Sequence, residues 1–361
     1  MKMKAAILYE YARPLVVEEV ILDPPQRGEV MVRLVASGIC HSDVNIIRGE
    51  ATAKLPIVLG HEAAGIVEVT GSDVVGLKPG DRVSVSLIRS CGRCFYCVRG
   101  HPNDCEGSHP LSFQTRIHNQ QGEPITQGIN VAGFAEYIVV DQTQIVKMPD
   151  DMPLETAAVL GCGVITGMGA VLNTAQVEAR SNVVVIGLGG VGINAIQGAV
   201  LAGARRVIAV DLLDNKLVFA RTFGATHTVN ARTENPVEII KELTGGRGAD
   251  YVFVTVGSER AVTQSFNMIR KRGTVVLIGL IGDEGTVPLP VSRVALNEFR
   301  VIGSFMGSTI LSEEVPQLVE LYQQGRIKLD ELVTGRYPLE QINQAIEAME
   351  RGEAVRNVIM F

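Results

Sequence analysis

The chain has 361 residues, a length that predicts two domains at roughly 150 residues each. Its 46% hydrophobic and 20% charged residues supply ample material for globular cores, and 33 basic against 39 acidic residues (net charge −6) argue against a nucleic-acid binder that depends on a broad basic face. Residues 1–14 carry two lysines but no following apolar run, and the most apolar window, 157–172, is short and interrupted by Gly161, Gly163, Gly167 and Gly169. Neither a secretory signal nor a membrane span is expected, and the expected location is the cytoplasm.

Up to about residue 150 the pattern is one of short β-branched runs separated by turns, such as 29–35 and 82–86, the second behind Lys78-Pro79-Gly80-Asp81. Strands at this spacing predict a small barrel or sandwich. The character changes near residue 165. Residues 183–186 form a continuous apolar run, as a parallel strand buried on both faces requires. A glycine loop, a helix of small residues to about Ala202 and a stop at Gly203 follow. Further apolar runs at 207–210, 251–256, 275–278 and 301–302 alternate with helical stretches such as 213–223 and 236–243. That rhythm predicts a doubly wound parallel sheet. From about Ser308, helical periodicity at Val315, Leu318, Val319 and Tyr322, and again at Ile342, Ile346 and Met349, leads to a closing strand at 357–361 that is free to return to the first domain.

Gly187-Leu188-Gly189-Gly190-Val191-Gly192 lies where a buried strand gives way to a helix. Gly187 permits the tight turn, Gly189 lets the backbone approach a pyrophosphate, and Gly192 lets helix pack on strand. The free N–H groups of the helix N-terminus then face the phosphates. Asp211 ends the next strand, where a carboxylate accepts from ribose hydroxyls and repels a 2′-phosphate, favouring NAD over NADP. A strand-end or helix-capping aspartate is the plainer alternative. Lys216, one turn on, reads as a ribose contact or as a solvated surface lysine.

Six cysteines sit at 40, 91, 94, 97, 105 and 162. Cys91-x2-Cys94-x2-Cys97-x7-Cys105 is a compact four-thiolate set, suited to a closed tetrahedral zinc of structural role. An iron–sulfur cluster is disfavoured, since no proline follows the fourth cysteine and there is no second cluster motif. Cys40 and Cys162 lie far apart in Gly38-Ile39-Cys40-His41-Ser42-Asp43 and Leu160-Gly161-Cys162-Gly163, with Gly60-His61-Glu62 between them. Taken singly, each is a buried thiol or a structural histidine; taken together, Cys2His is a ligand set for a catalytic zinc with an open position.

On these motifs, together with Gly60-His61-Glu62-Ala63-Ala64-Gly65, Lys78-Pro79-Gly80-Asp81-Arg82-Val83 and Ala354-Val355-Arg356-Asn357, the chain resembles, end to end, the zinc-dependent alcohol dehydrogenases of the medium-chain dehydrogenase/reductase superfamily. The resemblance implies an α/β fold: a Rossmann doubly wound parallel sheet (residues 164–304) binding NAD, and a mostly β, GroES-like catalytic domain (residues 1–163 with 305–361). The length of the 105–134 segment is similar to that of the liver-type and glutathione-dependent formaldehyde dehydrogenase branches.

The same resemblance makes Cys40, His61 and Cys162 ligands of a catalytic zinc. It places Glu62 beside the ion as a neighbour or transient ligand, and has Asp43 orient the His61 ring. It makes Ser42 the first hydroxyl of a proton relay. Liver-type members place a histidine three residues later, where this chain has Asn45, so water or His41 must complete the relay, and water is favoured. His41 and Arg356 match positions that contact cofactor phosphates, with a surface histidine and a surface arginine as the plainer alternatives. Ser42, Leu87 and Phe134 are expected to line a substrate pocket roomy enough for bulky, allylic or aromatic alcohols. The implied cofactors are two zinc ions per chain and NAD, and the partners a small alcohol or aldehyde and further copies of the chain in a homodimer or homotetramer. Nucleic acid and membrane are not expected as partners. The competing readings are a glutathione-dependent formaldehyde dehydrogenase and a non-enzymatic descendant of the scaffold.

Overall fold

Strand Glu29–Gly38 is buried along most of its length, which its run of Val30, Met31, Val32 and Leu34 predicts for a central strand. In the computed structural model, which describes every residue except Asp283 and Glu284, it is the hub of one of two compact units. This first unit comprises Met1–Gly163 and Ile310–Phe361; the second comprises Val164–Thr309.

The first unit combines two β layers. Strands Lys2–Leu8, Val16–Leu22, Ile117–His118, Pro124–Gln127 and Ile57–Val58 close a barrel, whose core includes Ala5, Ile7, Leu22, Leu59, Ile125 and Phe134. The other sheet runs in the order Ile145–Lys147, Arg82–Val85, Glu62–Thr70, Glu29–Gly38, Arg356–Met360, Val333–Pro338, and Tyr137–Asp141 also pairs with Glu29–Gly38. The closing strand does return to the first domain: Val358, Ile359 and Met360 pair antiparallel with Gly38, Ser37 and Ala36. On the opposite edge of the same strand, Gly38 pairs with Glu62. The start of the chain's last strand and the start of Glu62–Thr70 are thereby brought to the end of the strand that leads into Cys40. At the other end, Glu29 forms a buried two-pronged ion pair with Arg116 (2.6 and 2.9 Å).

The second unit carries a six-stranded, all-parallel sheet in the order His227–Asn230, Arg206–Asp211, Asn182–Ile186, Ala249–Val254, Ile269–Leu277, Arg300–Gly303. Counted within the unit, this is the 3-2-1-4-5-6 order of a dinucleotide-binding sheet, with the chain reversing direction across the sheet at its first strand. Local chemistry starts the intervening helices where expected. Asn235 accepts from the Val237 N–H ahead of Pro236–Leu243, with Pro236 in the first turn, and Ser258 accepts from Ala261 ahead of Glu259–Met268. The unit ends at Thr309 rather than near 305, because Asn173 donates to Gly307 O (3.1 Å) and the Thr174 hydroxyl bonds those of Ser304 and Ser308 (2.9 and 2.8 Å).

The apolar window expected to be short belongs to a continuous helical run, Leu154–Thr174, of 21 residues. By length and composition it passes for a membrane span, yet 94% of its apolar window is buried inside the protein, as in a core helix. Two π turns interrupt it, Leu160–Val164 and Ala170–Thr174. The first of them carries Cys162, and such turns concentrate at functional sites.

Candidate metal centres and nucleotide loop

Cys40 ends the loop after Glu29–Gly38 and begins helix His41–Arg48; its backbone N–H donates to Asp43 Oδ2 (3.1 Å). The other carboxylate oxygen of Asp43 accepts from Gly60 N (2.9 Å) and meets His61 Nδ1 at 3.2 Å. One fully buried carboxylate thus ties the Cys40 turn to the His61 turn and fixes the imidazole. On the third segment, Ser86 Oγ donates to Gly161 O (2.7 Å) and holds the π turn of Cys162. The result is a cluster in which one ligand atom each of Cys40, His61, Glu62 and Cys162 lies within 4.8 Å of the others.

The donor set fits a metal ion. Among the described residues, His61 Nε2 and Glu62 Oε2 are buried with no hydrogen-bond partner. With Asp43 engaging Nδ1, the imidazole presents Nε2 as a lone pair toward the two sulfurs, which is how a histidine ligand is prepared. The electrostatics agree. A hydrogen bond from Cys162 holds Cys40 well below the usual thiol range, and the same bond, with burial, pushes Cys162 well above it. Burial opposes charge on His61, but Asp43 and Cys40 outweigh it and raise the imidazole. Two sulfurs and two carboxylates crowd a dry site, and a divalent cation is the charge that would let both sulfurs ionise.

Glu62 does not stand alone. Its Oε1 accepts from Gly163 N and pairs with Arg356 Nη2, both at 3.1 Å, while burial pushes its carboxyl to about 7 against the pull of Arg356. Arg356 is 3% exposed, which rules out the surface-arginine alternative; it pairs with Glu62 and donates to Ile39 O (3.0 Å). The antiparallel pairing of the last strand with Glu29–Gly38 puts it there, a long-range event that no local pattern announces.

Phe134 corrects the sequence expectation. It is fully buried in the barrel core and packs across Gly60, where an added Cβ would come within 2.6 Å of its ring, so it supports the His61 turn instead of lining an open wall. Leu87 and Ser42 are half-buried, and Cys40 Sγ lies 3.9 Å from Ser42 Oγ. His41 is exposed at the first position of its helix, and Asn45 is half-buried one turn further along it.

The second thiolate set lies within the loop before Ile117–His118: one sulfur each of Cys91, Cys94, Cys97 and Cys105 falls within 4.8 Å of the others. Backbone N–H groups aim at these sulfurs. Cys91 N and Gly107 N donate to Cys105 (3.2 and 3.3 Å), Cys94 N to Cys91 (3.3 Å) and Cys97 N to Cys94 (3.5 Å). The Cys97 N–H holds Cys94 down at about 6, while burial, then Cys94, pushes Cys97 up to about 12. With sulfur at all four positions, an ion bound here would have no open site. His109, which the spacing did not single out, sits 3.8 Å from Cys105 Sγ and 3.5 Å from Asp141.

In the second unit, Gly187 has φ +92°, and an added Cβ would strike Val256. An added Cβ at Gly192 would strike Gly187 O, whereas at Gly189 it would meet nothing within 4 Å. The loop is tight at Gly187 and Gly192 and open at Gly189, a shape a pyrophosphate could approach, with Gly190 and Val191 beginning helix Gly190–Leu201. Asp211 also acts as the anchor of this loop: Oδ2 accepts from Leu188 N (2.8 Å), and Oδ1 accepts from Leu212 and Leu213 N (2.7 and 3.1 Å). Lys216 is half-buried in the first turn of Asp214–Thr222.

Comparison with known proteins gives a consistent result. Residues 26–150 match the family profile described as an alcohol dehydrogenase GroES-like domain, and residues 190–324 match that of a zinc-binding dehydrogenase. An NDMA-dependent alcohol dehydrogenase of Amycolatopsis methanolica is 42% identical, covering 100% of this chain and 99% of its own. Among solved structures, an alcohol dehydrogenase zinc-binding domain protein of Burkholderia ambifaria superposes with TM-score 0.94 at 34% identity, over 100% of this chain and 99% of that one. Benzyl alcohol dehydrogenase of Acinetobacter calcoaceticus does so with TM-score 0.94 at 31% identity and the same coverage.

A substitution at Gly107 separates the two thiol-bearing sites. An added Cβ there would lie 2.6 Å from both Cβ and Sγ of Cys91. Gly107→Ala is expected to bind one fewer metal ion per chain than the parent, read by elemental mass spectrometry, and to melt several degrees lower. Unchanged metal content would contradict the assignment of that loop.

Proposed function

We propose a specific reaction for a chain that belongs to the zinc-type alcohol dehydrogenases of the medium-chain dehydrogenase/reductase superfamily: reversible hydride transfer between a primary or secondary alcohol and NAD, with bulky, allylic or aromatic alcohols preferred. The observation that carries it is the buried Cys40–His61–Glu62–Cys162 cluster with His61 Nε2 left unpartnered. The open Gly189 position and the Asp211 carboxylate, which repels a 2′-phosphate, support NAD over NADP. Two zinc ions per chain follow from the two donor sets.

When bound, zinc supplies Lewis-acid polarisation of the alcohol oxygen and NAD supplies the hydride acceptor. The chain's own residues do the remainder. Cys40, Cys162 and His61 would hold the ion through two thiolates and one neutral ring nitrogen, and the Asp43 contact to Nδ1 would keep that ring in the tautomer with Nε2 unprotonated. Arg356 neutralises Glu62, so that the carboxylate stays inside without displacing the sulfurs. Ser42 Oγ receives the hydroxyl proton of the substrate and passes its own outward; the Asn45 amide is no proton acceptor at neutral pH, so water completes the relay. With a serine at 42, a leucine at 87 and Phe134 withdrawn into the core, the side chains left to contact substrate are small or aliphatic, which suits bulky alcohols.

A second reading concerns the electron acceptor. The relative at 42% identity is described as NDMA-dependent, which favours NDMA as the acceptor in turnover. The assembly is proposed to be a homodimer or homotetramer joined through the nucleotide-binding unit. Strand Arg300–Gly303 ends the parallel sheet without a further neighbour among the described residues, and Leu280, Val291 and Leu296 are 70%, 67% and 83% exposed in the same unit. A single-chain mass in light scattering would contradict this.

An alcohol panel followed by NADH absorbance tests the reaction. Benzyl alcohol is expected to exceed ethanol in kcat/KM by about tenfold or more, with no effect of glutathione on formaldehyde oxidation. A clear ethanol preference would refute the pocket reading, turnover seen only with NDMA would favour the second acceptor, and a glutathione requirement would assign the chain to the formaldehyde branch.

A further inference from the structure

Arg89 is 7% exposed, and among the described residues no carboxylate is hydrogen-bonded to it, although the charges of Asp141 and Glu29 still act on it from a distance. Burial lowers its guanidinium to about 10, so it is still a cation at neutral pH. Its donors go to four neutral acceptors on three separate segments: Gln144 Oε1 (2.9 Å) on one, Asn130 O (2.9 Å) and Gln127 Oε1 (3.4 Å) on another, and Ser112 Oγ (3.3 Å) on the third. Burying a cation on neutral groups is costly, and a planar fork of donors is the one side chain that can bind several acceptors at once in fixed geometry.

What this fork organises lies directly ahead of it in the chain. Strand Arg82–Val85 ends before Ser86, and the backbone of Ser86, Leu87 and Ser90 is then satisfied by side chains and loops instead of a ladder. Ser86 N donates to Gln144 O (2.9 Å), and Gln144 Nε2 donates to Ser86 O (2.8 Å) and to Asn130 O (3.1 Å). Asn130 Nδ2 donates to Leu87 O (3.1 Å), and Ser90 N to Thr143 Oγ1 (3.1 Å). Gln144 Oε1 accepts from Arg89 Nε (2.9 Å) and from the Asp141 N–H (3.2 Å), so the amide turns its N–H groups toward Ser86 and Asn130. The guanidinium and that backbone N–H together select the orientation of Gln144 that holds the segment.

Around Asn130 the backbone is strained. Ile129, Asn130 and Ala132 have φ of 45°, 63° and 61°, a region that non-glycine residues occupy only when their surroundings over-determine it. The same run continues into Gly133 N, which donates to Gly60 O (2.7 Å), and Phe134 N, which donates to Leu59 O (2.9 Å), immediately behind His61.

We propose that Arg89 is a positioning residue for alcohol recognition: its guanidinium clamps Gln144 and the 129–132 turn, and through them fixes where Leu87 is presented to substrate. This rests on the reading above that Leu87 contacts the alcohol. Three variants of the metal-loaded full chain test it. Leu87→Ala tests the pocket reading itself. Arg89→Met removes the fork. Asn130→Gly removes only the amide that holds Leu87 O, at a position whose left-handed backbone suits glycine. Arg89→Met is expected to lower the benzyl-over-ethanol ratio of kcat/KM by about tenfold, carried mainly by KM for benzyl alcohol, with kcat within about threefold and metal content equal to the parent's. Asn130→Gly should move the ratio in the same direction and carries the test if Arg89→Met is not recovered folded. A ratio unchanged in both, or a fall in kcat that tracks lost metal, overturns the proposal while a shifted ratio in Leu87→Ala leaves the pocket reading standing. If Leu87→Ala does not move the ratio, the pocket reading falls and this inference with it.

Discussion

The structure of the first unit turns on one strand with three claims on it. Glu29–Gly38 is hydrogen-bonded to Glu62–Thr70, Tyr137–Asp141 and the returning Arg356–Met360. Its last residues set the register that brings Cys40, Glu62 and Arg356 to one place. Slipping any of those pairings by one residue would turn every side chain to the opposite face and scatter the site. The candidate ligand cluster is thus a consequence of sheet register, and Asp43 and the Ser86–Gly161 bond make the final adjustments at the turns.

Holding such a set costs stability. Two thiols, an imidazole, two carboxylates and a guanidinium are gathered away from the surface, and charges of that kind are tolerated inside only when paired. Asp43 with His61 and Glu62 with Arg356 provide part of the pairing, and both link segments remote in the chain. What is left over, two sulfurs and an unpartnered nitrogen facing one another, is the ligand field that a borderline-soft divalent ion satisfies. The second thiol set differs: four sulfurs are gathered in one loop with backbone N–H donors aimed at them, an arrangement in which a proposed metal would leave no position open.

Much of this was legible in the sequence, because its signals are local. Apolar runs alternating with helical periodicity marked the parallel sheet, Gly187 to Gly192 marked the turn at its first strand, and the cysteine spacing from 91 to 105 marked a closed donor set. What stayed hidden depends on partners far along the chain. The burial of Arg356 follows from the last strand crossing back to Gly38, and Phe134 disappears into a barrel closed by strands on either side of it. Asp211 reads as a ribose ligand from its position at a strand end, while its contacts show that it also braces the glycine loop. Arg89 gave no signal at all. An arginine two residues before a cysteine knuckle looks like a surface cation until its four neutral acceptors are seen together. The π turn at Cys162 was equally unreadable, since a run of glycines and apolar residues does not distinguish a loop from a buried helix with one widened turn.

Binding of a single ion by two sulfurs and one imidazole nitrogen from three separate segments is examined directly by anomalous diffraction at the zinc edge, on crystals of the protein grown without chelator. The expected result is a peak at about 2.3 Å from the sulfurs of Cys40 and Cys162 and about 2.0–2.1 Å from His61 Nε2. A map with density only among Cys91, Cys94, Cys97 and Cys105 would contradict it.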